Sequence, residues 1–294
     1  MRRPYIALFI ATTGVSFAAI FIRSVSPEVA PLTIAFYRLL FTTIIILPFT
    51  LSHPSWRHDL VTLSRRQVLW MSVIGIILAA HFALWITSLT KTSVASSVML
   101  VTAHPVMVAP LAYVFLREQL SKVNVTGIAL SIAGAAILVF GNYSLKSSTL
   151  EGNILAILGG AAAGLYILGG RKLREHISVM AYATVVFGIA AVTLFVLCLA
   201  TRAPLSGISM RDHEIIFLMA VVSGIFGHTL YNWALRYLRA SVISVSLLGE
   251  PLGSALLAFA LPWIGEVPTL YTIVGGCFII PGIYLTMRGE PSYL

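Results

Sequence analysis

Apolar residues run along this chain in long unbroken stretches, separated by short polar or Gly/Pro-containing breaks. The stretches fall at residues 4–22, 31–51, 67–90, 94–116, 122–141, 153–170, 178–200, 213–236, 240–262 and 268–287. A helix rises about 1.5 Å per residue, so about 20 mostly apolar residues cross a hydrocarbon core about 30 Å thick. The pattern therefore predicts ten transmembrane helices. Strands of a membrane barrel alternate apolar and polar positions, whereas these runs are apolar throughout, which excludes a barrel. The expected fold class is an all-α integral membrane protein.

Composition sharpens this picture. Of 294 residues, 59% are hydrophobic and 10% charged, with mean hydropathy +0.96. Soluble domains sit near about 45–50% and about 25%, and disordered chains lie further still in the polar direction. The formal net charge of +9 would suggest nucleic acid in a soluble protein. Here the basic residues lie in short runs between apolar stretches, so membrane topology accounts for them and no nucleic-acid partner is expected; the partner is the lipid bilayer. With the N-terminus inside, thirteen Lys and Arg fall on the cytoplasmic side, among them Arg57, Arg65, Arg66, Arg117, Arg171, Arg174 and Arg239. Five remain outside (Arg23, Lys91, Lys146, Arg202 and Arg211), and Arg38 lies within a span. Both termini are thus expected to be cytoplasmic, in a multi-pass protein of the inner or plasma membrane. The first apolar run follows Met1-Arg2-Arg3-Pro4 without a cleavage signature and is expected to be retained as a helix. Cys198 and Cys277 lie inside apolar runs without paired spacing, as small packing residues.

The chain also matches itself at an offset of 146 to 148 residues. Residues 88–94 lie on 234–240, His104-Pro105 on Glu250-Pro251, and Glu118, Gly127 and Gly134 on Glu266, Gly275 and Gly282. The repeats are assigned to residues 1–146 and 147–294, five spans each. An odd number of spans forces the second half to enter the membrane in the opposite sense, giving an inverted repeat. Two similar bundles related by an axis in the membrane plane, around a central cavity, suit alternating access.

Two five-helix halves, Arg38 following Pro31 and Phe36-Tyr37, the paired Glu/Gly/Gly series and Glu250-Pro251 together resemble the EamA-type members of the drug/metabolite transporter superfamily. The resemblance covers nearly the whole chain. Within that family, its size and plan are similar to the YddG-type exporters of aromatic amino acids and other metabolites. The resemblance implies a transporter with peripheral fifth and tenth helices.

Ionisable residues within spans are costly in lipid and mark pathways. They are Arg38, His81, His104, His228 and Glu250. Arg38 lies about 10 Å below the outer end of span two; it is either a bidentate partner for a carboxylate or a structural arginine bracing loop carbonyls. In span three, His81, Trp85 and Ser88 share one helical stripe, and span eight repeats the arrangement with His228, Tyr231 and Asn232. Both stripes are expected to face the cavity, with an interfacial aromatic belt as the alternative for Trp85, Tyr231 and Trp233. Pro105 and Pro251 occupy matching positions, where each frees the carbonyl four residues earlier, at Val101 and Leu247, and forms a hinge at a midplane site. Pro110 and Pro262 are second hinges. His104 and Glu250 would bind substrate amines or protons, or brace a helix. Gly160 with Gly164, Gly127 with Ser131 and Gly275 with Ile279 open close-approach faces, used either within the chain or in a homodimer.

These features predict a secondary transporter of small amphipathic metabolites, chiefly aromatic or other hydrophobic amino acids, working by facilitated alternating access. A proton-coupled multidrug or metabolite exporter is the alternative. An intramembrane lipid-modifying enzyme is remote, because no HExxH, GxSxG or Walker A sequence occurs. No catalytic residue, cofactor or metal is expected.

Overall fold

The computed structural model describes residues 2–92, 94–142, 149–261 and 267–289, and side chains at most of these. Met1, Ser93, Lys146, Pro262 and Glu266, which figure in the sequence arguments above, lie outside the described residues. The described chain is built from α-helices α1 (Arg2–Ser16), α2 (Ala18–Ser24), α3 (Pro31–Ser52), α4 (Pro54–Val61), α5 (Arg65–Ser88), α6 (Val94–Thr102), α7 (Pro105–Leu116), α8 (Lys122–Asn142), α9 (Leu150–Arg174), α10 (Val179–Thr201), α11 (Met210–Met219), α12 (Leu230–Ala234), α13 (Ala240–Ser246), α14 (Gly249–Ala260) and α15 (Leu270–Arg288), with a π-helix over Ala220–Thr229. Spans one, four, eight and nine are composite: α1–α2, α6–α7, α11–π–α12 and α13–α14. The remaining six are α3, α5, α8, α9, α10 and α15. Among the described residues, nine of the spans contain helices long and apolar enough to cross a membrane, and α8 is the tenth apolar helix. The short α4, which the hydropathy pattern does not predict, joins spans two and three and buries no residue.

Local chemistry sets the helix ends. Pro31 opens α3 at a position whose N–H would have no partner. Ser64 opens α5 with a reciprocal cap: its N–H donates to Gln67 Oε1 at 2.8 Å and its Oγ accepts from Gln67 N at 3.3 Å. Thr149 and Ser209 cap α9 and α11 in the same sense.

Helix packing follows the repeat. Span one lies on spans eight and nine as span six lies on three and four, while spans two and seven pack on each other, as do five and ten. Each contact therefore has its counterpart after exchange of the halves, which is the inverted-repeat architecture. The Thr50 and Thr184 hydroxyls meet at 2.8 Å between spans two and seven. Around the outside, Phe9, Phe49, Phe115, Val196 and Ile273 stand exposed, Phe115 at 73%. Such a belt would be a liability in water and is the expected surface against lipid acyl chains.

Spans five and ten form the most extensive pair and use their small residues for it. A Cβ at Gly127 would lie 2.5 Å from Thr286 N and 2.6 Å from Gly282 O, and one at Gly134 would lie 2.6 Å from Gly275 O. The two backbones approach so closely that only glycine fits. This face is consumed inside the chain, so it is not the surface through which two copies would meet. Gly160 and Gly164 likewise sit against span four, at Val101 O and Met107 Cε.

Candidate functional site

Spans four and nine are both interrupted near their prolines. In span four, α6 ends at Thr102 and Pro105 starts α7; the Val101 carbonyl freed by Pro105 points at Gly160. In span nine the break comes earlier, at Leu247–Leu248. Leu247 O is not free as the proline pattern predicts, because it accepts from Glu250 N at 3.0 Å in a tighter turn. Both interruptions lie beside one central cavity of about 40 Å³. That is room for a few waters.

Seven of the nine expected cavity residues line this space: Arg38, His81, Trp85, His104, His228, Tyr231 and Glu250. Apolar neighbours from spans one, six and nine, such as Val15, Ile167 and Leu247, complete the wall. Ser88 and Asn232 lie outside the lining. Ser88 donates to Trp85 O at 2.7 Å and pairs with Ser97 Oγ at 2.5 Å, closing the end of span three. Asn232 lies behind the lining, donating to His228 O and Tyr166 Oη. Trp85 and Tyr231 are each 3% exposed, so neither belongs to an interfacial belt.

Arg38 is the most unusual group. It is 1% exposed, and none of its Nε, Nη1 and Nη2 atoms has a hydrogen-bond partner among the described residues. Its Cζ lies 4.3 Å from the centroid of the Phe82 ring, a cation–π contact that does not use its N–H groups. Glu250 is close enough for the two charges to interact, yet they form no ion pair within 4 Å. Trp85 Nε1 is a second buried donor without a partner. Leaving buried donors unmet costs more for a charged group than for a neutral one, so this arrangement is suited to an acceptor that comes and goes.

Aromatic rings pack around these charges. His81 stacks on Trp85 at 5.8 Å and 13°, and His228 lies 5.1 Å from Phe82 and 4.9 Å from Tyr231. Among the described residues no three His, Cys, Asp or Glu converge as metal ligands. Sequence reasoning missed Phe82, which was hidden in an apolar run, and Tyr166, on span six. A tyrosine amid the glycines of span six was the available signal for the second.

At the face bearing most arginines, Glu118 joins the halves. Its carboxylate accepts from Ala240 N at 2.8 Å and Ser241 Oγ at 3.1 Å at the start of α13, and Arg171 Nε lies 3.6 Å away. A carboxylate at a helix N-terminus meets both unpaired N–H groups and the positive end of the dipole.

The model of the EamA-like transporter family matches residues 2–140 and, a second time, 150–288. The chain belongs to the EamA-like transporter family. It is thus a multi-pass membrane transporter of the drug/metabolite transporter superfamily. It is 25% identical over 276 residues to an uncharacterized transporter of Archaeoglobus fulgidus, covering 91% of each chain. A probable terminal-alkyne amino-acid exporter of Streptantibioticus cattleyicolor is 26% identical over 197 residues, 65% of this chain and 63% of that one. A solved crystal structure matches the fold with a TM-score of 0.78 at 15% identity, covering 97% of each chain.

Proposed function

We propose that this transporter exports small amphipathic metabolites, chiefly aromatic or other hydrophobic amino acids, by facilitated alternating access. The observation that carries the reading is the pairing of Arg38, buried without a hydrogen-bond partner, with Glu250 across one small cavity. A guanidinium offers two parallel donors to a carboxylate, and a carboxylate accepts from an ammonium. Trp85, Tyr231 and Ile167 supply the apolar and aromatic wall that a hydrophobic side chain needs. The amino-acid exporter among the relatives supports the same substrate class. The cavity would have to widen to hold such a substrate. Residues 1–146 and 147–294 would be the two moving repeats, with hinges at Pro105 and Pro251, in a cell membrane with both termini cytoplasmic.

The test is uptake of radiolabelled amino acids into proteoliposomes, with and without an imposed proton gradient and with unlabelled competitors. Saturable uptake independent of the gradient is the expected result. Uptake that follows the gradient would favour the second reading, a proton-coupled exporter, for which Glu250 and three histidines at the cavity are the motivating observation. Absence of uptake for every amino acid would overturn the substrate class.

A further inference from the structure

Spans four and nine cross in opposite directions, so their interruptions leave α7 and α13 at the face bearing most arginines and α6 and α14 at the other. The two ends are joined differently. α7 packs on α13, and two polar contacts cross between them from the first repeat to the second. His104, at the start of α7, and Ser244, within α13, form a hydrogen bond of 2.7 Å between Nδ1 and Oγ. Ser244 is fully buried, and its hydroxyl has no other partner among the described residues. The bond ties the two segments whichever atom donates.

The second contact lies at the far end of α7. Arg117 takes the left-handed conformation, with φ 54°, which a residue other than glycine adopts only at a cost. The chain turns back there, and Glu118 N donates to Ala112 O at 3.2 Å. That turn carries the Glu118 carboxylate to the start of α13, where it accepts from Ala240 N and Ser241 Oγ. Arg171 Nε stands beside it, and Arg171 Nη1 donates to Leu235 O at 2.8 Å, which draws the ends of spans six and eight into the same knot. At the opposite face α6 and α14 also pack on each other, yet no hydrogen bond joins them among the described residues. There α6 lies against span six at Gly160, and α14 is tied to span one, where Ser254 Oγ donates to Ser16 O at 2.8 Å.

We infer that His104 and Glu118 are the two fixed points of a clamp that makes α7 and α13 one gate across the repeats, closing the arginine-rich end of the central cavity. The opposite end can part without breaking a hydrogen bond between spans four and nine. His104 is thus a positioning residue that touches both the cavity and the gate, since its ring lines the one and holds Ser244 of the other. The inference rests on the alternating-access reading above and not on the substrate class.

The experiment uses the full chain with Cys198 and Cys277 replaced by alanine and one reporter, Ala163→Cys, on the cavity wall. A charged, membrane-impermeant thiosulfonate is applied to sealed membrane vesicles of either orientation, and Arg66→Cys, at an exposed position beside the start of α5, identifies the arginine-rich face. The reporter is expected to react more slowly from that face than from the other. Ser244→Ala and Glu118→Ala should each speed labelling from the arginine-rich face about tenfold and leave it unchanged within about twofold from the opposite face. Equal acceleration from both faces, or none from either, would overturn the inference. Hydrogen–deuterium exchange of the otherwise unmutated chain and of Ser244→Ala in lipid nanodiscs gives a second reading without a reporter. Exchange in α7 and α13 should rise together while α8 and α15 stay protected; loosening of α13 alone, or of every span alike, would overturn the clamp. Both results as expected, with no amino acid taken up by the protein, would overturn the substrate class and leave the gate standing.

Discussion

The two halves of this transporter share one packing scheme and carry different chemistry. His81 and His228 correspond, but Arg38 has no counterpart: the matching positions are Thr184, Val185 and Val186. His104 in the first half corresponds to Glu250 in the second. Span three is an uninterrupted helix over Arg65–Ser88, whereas span eight contains the π-helix Ala220–Thr229. Contacts with spans one and two and one side-chain bond of its own lie along it. Thr42 Oγ1 sits 2.5 Å from where a Cβ would stand on Gly224, Ser223 Oγ donates to Gly14 O at 2.8 Å, and Thr229 Oγ1 reaches Gly224 O, five residues back, at 3.1 Å. Symmetry is retained where helices must exchange equivalent contacts and lost where two unlike ends of a substrate would be told apart.

The strongest way to break the shared scaffold is at the spans five and ten seam. Gly127→Leu is expected to abolish recovery of folded, monodisperse protein by size-exclusion chromatography, because two of its three nearest neighbours, Thr286 N and Gly282 O, are backbone and cannot move away. Gly188→Ala, which meets only Thr43 Cγ2 at 3.7 Å, is the control and should elute normally.

The asymmetric site breaks differently. Arg38→Leu should reduce amino-acid uptake more than about 100-fold, equivalent to about 2.7 kcal/mol, while leaving Tm unchanged or raised. No internal hydrogen bond is lost, and a buried charge is removed. A fall in Tm parallel to the fall in uptake would mean that Arg38 braces the fold.

Glu118→Ala tests the tie between the halves. Ala240 N and the Ser241 hydroxyl lose their acceptor, so thermal unfolding in detergent should show a loss of about 1–3 kcal/mol. The smallest effect is expected at Ser88, whose bonds end a helix away from the cavity. Ser88→Ala should change uptake less than about threefold, whereas Trp85→Ala on the same stripe should lower it by about tenfold or more. Equal effects would erase the distinction between lining and support.

The helical stripes of spans three and eight were legible as polar and aromatic faces, yet periodicity could not say how deep each face reaches. Ser88 lies one turn past Trp85 and already belongs to the helix end. Asn232, in α12, turns instead to His228 O and Tyr166 Oη, so Tyr231 rather than Asn232 meets the cavity. Phe82 was unreadable because a phenylalanine in an apolar run carries no mark of the cation above it.

By itself the sequence determined ten apolar helices, their inverted repetition, the family they resemble and the short roster of intramembrane charges. These are properties of local hydropathy, length and self-similarity, which sum along the chain without reference to neighbours. Tertiary structure decided which small-residue faces were spent inside the chain, that Arg38 stands without a hydrogen-bond partner near Glu250, and that His81 Nδ1 donates to the Gly159 carbonyl. Such features depend on helix rotation and on hydrogen bonds between residues 66 to 78 positions apart. No pattern within one helix encodes them, because the partner that fixes each group lies on another.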